Sequence, residues 1–277
     1  FGMNMDASSR NASNKDAMIG KIIGMRPDYP AYNEDGTINT IDMYVKNPLV
    51  ELLDKNESVS RNINAAGFLE YNFYKFLKFR STLNAQYQNV KYDQFTRAYY
   101  EGSTNSGTQK DSQSYTIVWD NLLTFYKTMG LHDVTAMLGP SVERTSYDYM
   151  EANGSNYPDD DILVNLGSAA TRGAINSNKQ SSSLVSLFAR VQYQFNNRYL
   201  FTGTFRTDGS SRFGKDHRWG YFPSGAVAWI MTEEDFMRSV KDVVSYLKLR
   251  FSYGLTGSQN LGYYSFTGYM GSNRYNG

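Results

Sequence analysis

Between Val185 and Phe195 the side chains alternate. Val185, Leu187, Ala189, Val191, Tyr193 and Phe195 are apolar, while Ser186, Arg190, Gln192 and Gln194 are polar, with Phe188 the exception. In an extended chain successive side chains point to opposite faces, so this run predicts a strand with one oily and one wet side. After Asn196-Asn197 the pattern resumes as Tyr199, Phe201, Gly203 and Phe205 against Arg198, Thr202, Thr204 and Arg206. Two such runs joined by a short Asn-rich connection predict a hairpin. The same design recurs in Leu247, Leu249, Phe251, Tyr253 and Leu255, and in Phe79, Leu83, Ala85 and Tyr87. Weaker alternation predicts further strands over 68–75, 115–127, 134–149 and 221–231, with another expected to begin near Tyr263.

The connections alternate in length. Phe76-Leu77, Thr128 to Asp133 and Asn196-Asn197 are short, whereas 93–114, 151–183 and 208–220 are long and rich in Gly, Ser, Asn and Asp. Short turns therefore fall at one end of the sheet and long loops at the other, as in outer-membrane barrels. Thr232 to Leu247 departs from this rule. Phe236, Val240, Val243 and Leu247 have helical spacing, with Thr232 as N-cap and Asp235 three residues on, which predicts a short amphipathic helix at the rim. Residues 1–61 lack clean alternation and are expected to form an extracellular loop region, leaving 62–277 as barrel. Within that region a helix is expected over Asp16 to Met25, ending near Pro27, then a turn at Glu34-Asp35-Gly36 and a helix start at Asn47-Pro48.

A soluble β-sandwich also alternates, so periodicity alone leaves both architectures open. Three details favour the barrel. The strands run about ten residues, the length a tilted membrane strand needs. Their wet faces carry Glu70, Arg80, Arg190, Arg206 and Arg250, charges that a dry core would have to desolvate. Tyr and Trp recur near strand ends, where a membrane interface favours them.

Composition narrows function more than fold. The 277 residues carry 28 basic and 27 acidic side chains, a net charge of +1, which gives no nucleic-acid footprint. With no Cys and two His, disulfides and Cys or multi-His zinc sites are excluded. The mean hydropathy of −0.54 and the short apolar runs exclude a membrane helix, while 23 Tyr, 16 Phe and 23 Gly suit many strands joined by tight turns. The chain opens Phe1-Gly2-Met3-Asn4 and is expected to be a portion of a longer polypeptide.

No nucleophile elbow, Walker loop or H-E-x-x-H motif is present, and His132 and His217 fall in turn and loop positions where solvation is expected, so no catalytic residue is assigned. Asp159, Asp160 and Asp161 form an acidic run that offers hard oxygen donors for a structural Ca²⁺; a solvated turn is the plainer reading, and no cofactor is otherwise expected. Tyr99, Tyr100, Tyr157 and Trp219 are candidates for contact with a ligand or partner, as aromatics in long loops.

Three segments carry a family signature. "FNNRYLFTGTFRTDGSSRFG" (195–214), "RWGYFPS" (218–224) and "LKLRFSYGLTGSQ" (247–259) together resemble the SusC/RagA family of TonB-dependent outer-membrane transporters of Bacteroidetes, with weaker echoes in "RPDYPAYNEDG" (26–36) and "WDNLLTF" (119–125). The resemblance implies an all-β fold, an antiparallel transmembrane barrel of which this chain supplies about eight or nine of 22 strands, with long extracellular loops. It implies a bacterial outer-membrane location and active import of oligosaccharides or peptides. The implied partners are a SusD-like surface lipoprotein, the TonB complex reached through an N-terminal part outside this chain, and outer-membrane lipid; nucleic acid is not among them. The chain contains no recognisable TonB box, plug motif or C-terminal aromatic strand.

The matching residues Asp208, Gly209, Ser210, Ser211, Arg212, Phe213, Gly214, Trp219, Gly220, Tyr221 and Pro223 are read as loop architecture rather than as ligand contacts. Asp208 to Ser211 is expected to form a tight turn, with Gly209 at positive φ and Asp208 bonded to the amides that follow it. Arg212 and Phe213 would anchor the loop. A passive porin or adhesin barrel and a soluble carbohydrate-binding module are the rival readings.

Overall fold

The computed structural model describes residues 1–13, 18–40, 47–100, 102–240 and 242–265. Their organising element is one nine-stranded antiparallel sheet in strict sequence order, each strand hydrogen-bonded to the next. The strands are β1 (Gly2–Ser13), β2 (Lys55–Tyr74), β3 (Leu77–Thr96), β4 (Ser106–Met129), β5 (His132–Ser155), β6 (Thr171–Phe195), β7 (Tyr199–Ser210), β8 (Trp219–Ile230) and β9 (Lys248–Gly254). Two short helices, α1 (Met18–Ile23) and α2 (Pro48–Leu53), lie in the β1–β2 connection. As expected, Asn47 caps α2, its Oδ1 accepting from the Leu49 amide at 3.0 Å, and Gly36 turns at φ 83° beside Asp35. The described part of the first helix is α1; residues 14–17 lie outside the described residues, as do 266–277, which include most of the strand expected near Tyr263.

Outside the irregularities at Asn72–Tyr74 and Ala152–Gly154, the register assigns strand residues to a face. Val185, Val191 and Phe195 align with Val142, Ala136 and His132 on β5, and on the other side with Gly209, Gly203 and Tyr199 on β7. The apolar set is therefore continuous across the sheet: Ile63 to Tyr71 on β2, Leu77 to Tyr87 on β3, Tyr115 to Phe125 on β4, Val134 to Val142 on β5, and so on to Leu249, Phe251 and Tyr253 on β9. On β6 the outward apolar run covers Val185 to Phe195 and then gives way to Ser183, Ser181, Lys179 and Ser177. An apolar run of that length matches a membrane-spanning strand. The strand itself has 25 residues, about 80 Å at a β rise. Its far half, like those of β2 to β5, stands beyond the apolar band and is mostly polar on both faces.

Aromatic rings gather at the short-turn edge of that band. Phe76 meets Tyr74 and Phe125 at 5.2 and 5.7 Å, His132 meets Phe195 at 5.0 Å, and Tyr193 meets Phe201 at 6.1 Å. At the opposite edge Tyr87 and Tyr115 pair at 4.8 Å, and Trp119 donates from Nε1 to Ser81 Oγ at 3.0 Å. Rings with one polar tip are the side chains an interface between hydrocarbon and water selects.

Several expectations need correction. Gly2–Ser13 is a strand paired with β2, not loop; its outward residues pass from Met3 and Met5 to Ser9 and Asn11, so only its first few residues alternate. The expected loops 93–114 and 151–183 are largely strand for the same reason, leaving true connections at 97–105 and 156–170. The short turns centre on 75–76, 130–131 and 196–198, with Gly130, Asn196 and Asn197 in the left-handed region at φ 61°, 49° and 55°. The described residues of Thr232 to Leu247 form no amphipathic α-helix. Two 3₁₀ turns, Met231–Glu233 and Asp235–Val240, occupy its first part. Thr232 is buried there rather than capping, its Oγ1 accepting from the Leu247 amide. His132 is engaged rather than free, with Nδ1 at 2.7 Å from the Tyr193 hydroxyl.

Candidate functional site

The signature hairpin is built on β7 and β8. Arg206, Asp208 and Ser210 point to the polar face, where the Arg206 Nε donates to both Asp208 carboxylate oxygens at 2.8 and 2.9 Å and its Nη2 reaches Ser186 Oγ at 3.3 Å. Asp208 therefore holds the Arg206 side chain rather than capping a turn. Gly209 is likewise no turn residue: β7 continues through it, paired with Val185 and Trp219. Its need for glycine is steric, because a Cβ would lie 2.9 Å from the Trp219 ring. Trp219 thus lies flat on the apolar face, and Tyr221 stacks beside Phe205 on that face at 6.3 Å. Gly220 and Phe222 point the other way, and a Cβ on Gly220 would fall 2.6 Å from the Phe222 ring. Pro223, opposite Phe205, uses its carbonyl to accept from the Leu255 amide at 3.0 Å.

The loop between these strands is tied down from several directions. The Ser210 amide donates to the Arg218 carbonyl at 3.0 Å, and the Ser211 amide to the Ser183 carbonyl at 2.9 Å. The Ser183 amide in turn donates to Ser211 Oγ at 2.8 Å, and the Arg212 amide to Ser210 Oγ at 3.2 Å. The Arg212 guanidinium lies 4.5 Å over the Tyr263 ring and donates to the carbonyls of Gln259 and Leu261 at 3.5 and 3.3 Å. The Phe213 amide donates to the Ser210 carbonyl, and Gly214 precedes the one-turn 3₁₀ segment Lys215–His217.

These contacts enclose a cavity of about 600 Å³ on the polar face at the long-loop end. Arg206, Asp208, Arg218, Phe222, Ser258 and Gln259 line it. The buried Arg218 Nε has no hydrogen-bond partner among the described residues. An aromatic ring, a fixed ion pair and a guanidinium with an unpaired Nε around a space of this size can hold a polar oligomer by stacking and hydrogen bonds. Arg218, His217, Ser258 and Gln259 are not among the candidate residues, although Arg218 opens the signature segment 218–224 and Ser258 and Gln259 close the segment 247–259.

The other candidates lie elsewhere. Tyr157 is closed off from solvent, packed edge-on against Phe95 at 5.0 Å beside Ala169; burial raises its phenol pKa. It is a packing residue of the 156–170 connection and not a free contact. The Tyr99 and Tyr100 amides share Ser103 Oγ, and the Tyr99 hydroxyl donates to Asp54 at 3.3 Å. The acidic run is divided among separate partners. Asp159 Oδ1 accepts from the amides of Asp161 and Ile162 at 2.7 and 2.6 Å, Asp160 accepts from Asn105 Nδ2 at 2.7 Å, and Asp161 pairs with Arg97. Those amides hold the Asp159 carboxyl below the usual carboxylate range. Among the described residues no group of three or more His, Cys, Asp or Glu converges on a metal position.

At the short-turn end Glu234 gathers three donors: Tyr199 OH at 2.6 Å, Trp229 Nε1 at 3.0 Å and Arg198 Nη1 at 2.8 Å. The Tyr199 and Trp229 hydrogen bonds, with the Arg198 charge beside them, keep its carboxyl below the ordinary glutamate value. This clamp locks the start of β7 to the end of β8 and pins the turn that follows.

Comparison with known proteins agrees with this geometry. The profile of the family described as "TonB dependent receptor-like, beta-barrel" matches residues 13–277. TonB-dependent receptor SusC of Bacteroides thetaiotaomicron is 31% identical over 296 residues, covering 94% of this chain and 28% of that protein. TonB-dependent receptor P26 of Formosa agariphila is 30% identical over 264 residues, covering 91% of this chain and 27% of that protein. The RagAB peptide importer in its open-open state superposes with a TM-score of 0.83 at 19% identity, over 100% of this chain and 32% of the matched chain. The chain thus spans little more than a quarter of these curated relatives. The nine-stranded sheet with its apolar outer band and polar inner face is a stretch of barrel wall, and the chain belongs to the TonB-dependent receptor β-barrel family of the bacterial outer membrane.

Proposed function

We propose that the polypeptide containing this chain imports oligosaccharides or peptides across the outer membrane. Its energy comes from the TonB complex, it works with a SusD-like surface lipoprotein, and it performs no covalent chemistry on its cargo. The observation that carries this reading is the cavity of about 600 Å³ on the lumenal face at the extracellular end, walled by Arg206, Asp208, Arg218 and Phe222. Cargo arriving from outside meets this end of the wall first. The likeness to SusC and to the RagAB peptide importer supports the reading.

Uptake of fluorescent oligosaccharide and peptide pools by cells with and without the gene, each with and without a protonophore, tests it. Gene-dependent, protonophore-sensitive accumulation is expected. Gene-dependent uptake indifferent to the protonophore would replace it with a passive porin.

A further inference from the structure

On β5 the outward face changes abruptly where the apolar band ends. Val142 is its last apolar residue there, aligned with Trp119 on β4 and Val185 on β6. The next outward residue, about 7 Å farther toward the extracellular end, is Arg144, exposed and aligned with Ile117 and Ser183. The level above it holds Tyr115, Ser146 and Ser181, with the Tyr115 ring 4.8 Å from that of Tyr87. Arg144 therefore stands among the aromatic rings of the extracellular interface, one level outside the hydrocarbon. A cation costs little at this depth, because its aliphatic stem lies along the band while its head reaches the headgroups.

Two outward lysines farther out are paired, Lys55 with Asp93 at 2.5 Å and Lys91 with Asp111 at 3.6 Å. Arg144 differs from them: among the described residues no carboxylate lies within ion-pair distance of it and no side-chain hydrogen bond engages it. Asp148, outward on the same strand, is four residues farther out and aligned with Lys179, while Glu143 points to the lumenal face. The surroundings of Arg144 are complete within this sheet, because β5 is the fifth of nine strands. The remaining wall of a closed barrel, and anything inside its lumen, lies behind this face. Directly beneath Arg144 the surface is low. At the level of Val142 the row reads Trp119, Val142, Val185, Gly209 and Trp219, with the Trp219 ring lying across Gly209. The two valines thus floor a trough about 10 Å wide between two half-exposed indoles.

We infer that Arg144 binds the phosphate of an acylated sugar phosphate of the outer leaflet, whose acyl chains lie in the trough over Val142 and Val185. Continuity and charge select this occupant. The trough runs on into the lipid-facing band, and its extracellular end presents one cation, so the molecule that fits is a lipid with an anionic headgroup. Acylated sugar phosphates fill the outer leaflet of a bacterial outer membrane, and phospholipids fill the inner one. The planar guanidinium fork takes a phosphate through two hydrogen bonds, and the hydroxyls of Ser146 and Ser181 stand one level above for the sugar. The inference goes beyond import and rests only on where the band lies in the bilayer.

The test uses the full-length transporter, purified and delipidated in detergent and titrated by native mass spectrometry. The probes are monophosphorylated lipid A, the same lipid after removal of its phosphate, and phosphatidylglycerol. The phosphorylated form is expected to bind about tenfold more tightly than the dephosphorylated one. Arg144→Gln should erase that preference, Arg144→Lys should keep part of it, and Lys179→Gln, two levels farther out, should leave it intact. Equal affinity of the native protein for the two forms of lipid A overturns the inference. So does a preference that survives Arg144→Gln, or one that Lys179→Gln removes as fully, since the attraction would then belong to the whole face. Tighter binding of phosphatidylglycerol than of lipid A would remove the sugar phosphate as the occupant. A change of oligomeric state in Arg144→Gln with lipid A binding unaltered would give the face to a second copy of the chain. A lower melting temperature with the preference intact would leave Arg144 a purely structural residue. Each of these failures leaves import standing, because uptake is read separately.

Discussion

Replacing Val191 by Arg puts a guanidinium in the middle of the outward band of β6. Val191 is half exposed on that face, flanked by Ala136 on β5 and Gly203 on β7, and neither neighbour offers a side-chain acceptor. The nearest end of the band, at Phe195, is four residues or about 13 Å away, too far for the new side chain to reach water easily. A cation at that depth costs about 2–4 kcal/mol, which lowers the folding equilibrium constant by a factor of roughly 30 to 1000. Ser177→Arg provides the internal comparison. Ser177 lies on the same strand and the same face, opposite Met150, but beyond the band, and the change there should fall within about 0.5 kcal/mol. Denaturant titration of the full-length protein folding into lipid vesicles, followed by heat-modifiable migration and tryptophan emission, measures both. Equal costs at the two positions, or a Val191→Arg cost below about 1 kcal/mol, would refute the placement of the bilayer.

The remaining predictions concern the two ends of the wall. The Glu234 carboxyl is held below its unfolded value, so its contribution is present above the unfolded pKa and lost as pH falls through the folded one. Glu234→Gln should therefore lower stability near neutral pH and flatten the acid side of the stability profile, read by thermal melts across pH 3 to pH 7; an unchanged acid limb would contradict the clamp. Tyr157→Ala removes the ring that seals Phe95, at about 3 kcal/mol for a buried aromatic. The loss should be local, seen as faster proteolytic cleavage between residues 156 and 170 in otherwise folded protein, whereas unaltered cleavage would mean that the ring does not hold the connection.

The contrast within β6 explains what could be read from the sequence. Val185 to Phe195 touches hydrocarbon on one side and water on the other, so selection writes a period of two into it. Thr171 to Ser183 is equally extended but wet on both sides, and its Ser, Asn and Lys residues look like loop. The same rule hid most of β1 and the far halves of β3, β4 and β5, and it made the 93–114 and 151–183 connections seem longer than they are. The signature hairpin was legible as a motif, but not in its geometry. Gly209 suggested a turn because glycine tolerates positive φ, whereas its actual constraint is the Trp219 ring lying across it. Arg218 could not be grouped with Arg206, Phe222 and Gln259 from sequence, because they come to one cavity only through the pairing of β7, β8 and β9. The Thr232 to Leu247 segment had helical spacing, but Glu234 is committed to Arg198, Tyr199 and Trp229, and Phe236 packs on Trp229 at 6.2 Å.

This chain has no Cys, which suits a nitroxide scan of β6 in the full-length protein, one residue at a time from Gly173 to Phe195, in lipid vesicles. Collision with oxygen should peak at the odd positions from 185 to 195 while a water-soluble nickel reagent peaks at the even ones. Above Ser183 the nickel reagent should reach both faces. Oxygen access continuing with the same alternation up to Gly173, or absent from 185–195, would contradict the assignment of this sheet as a membrane wall with an extracellular extension.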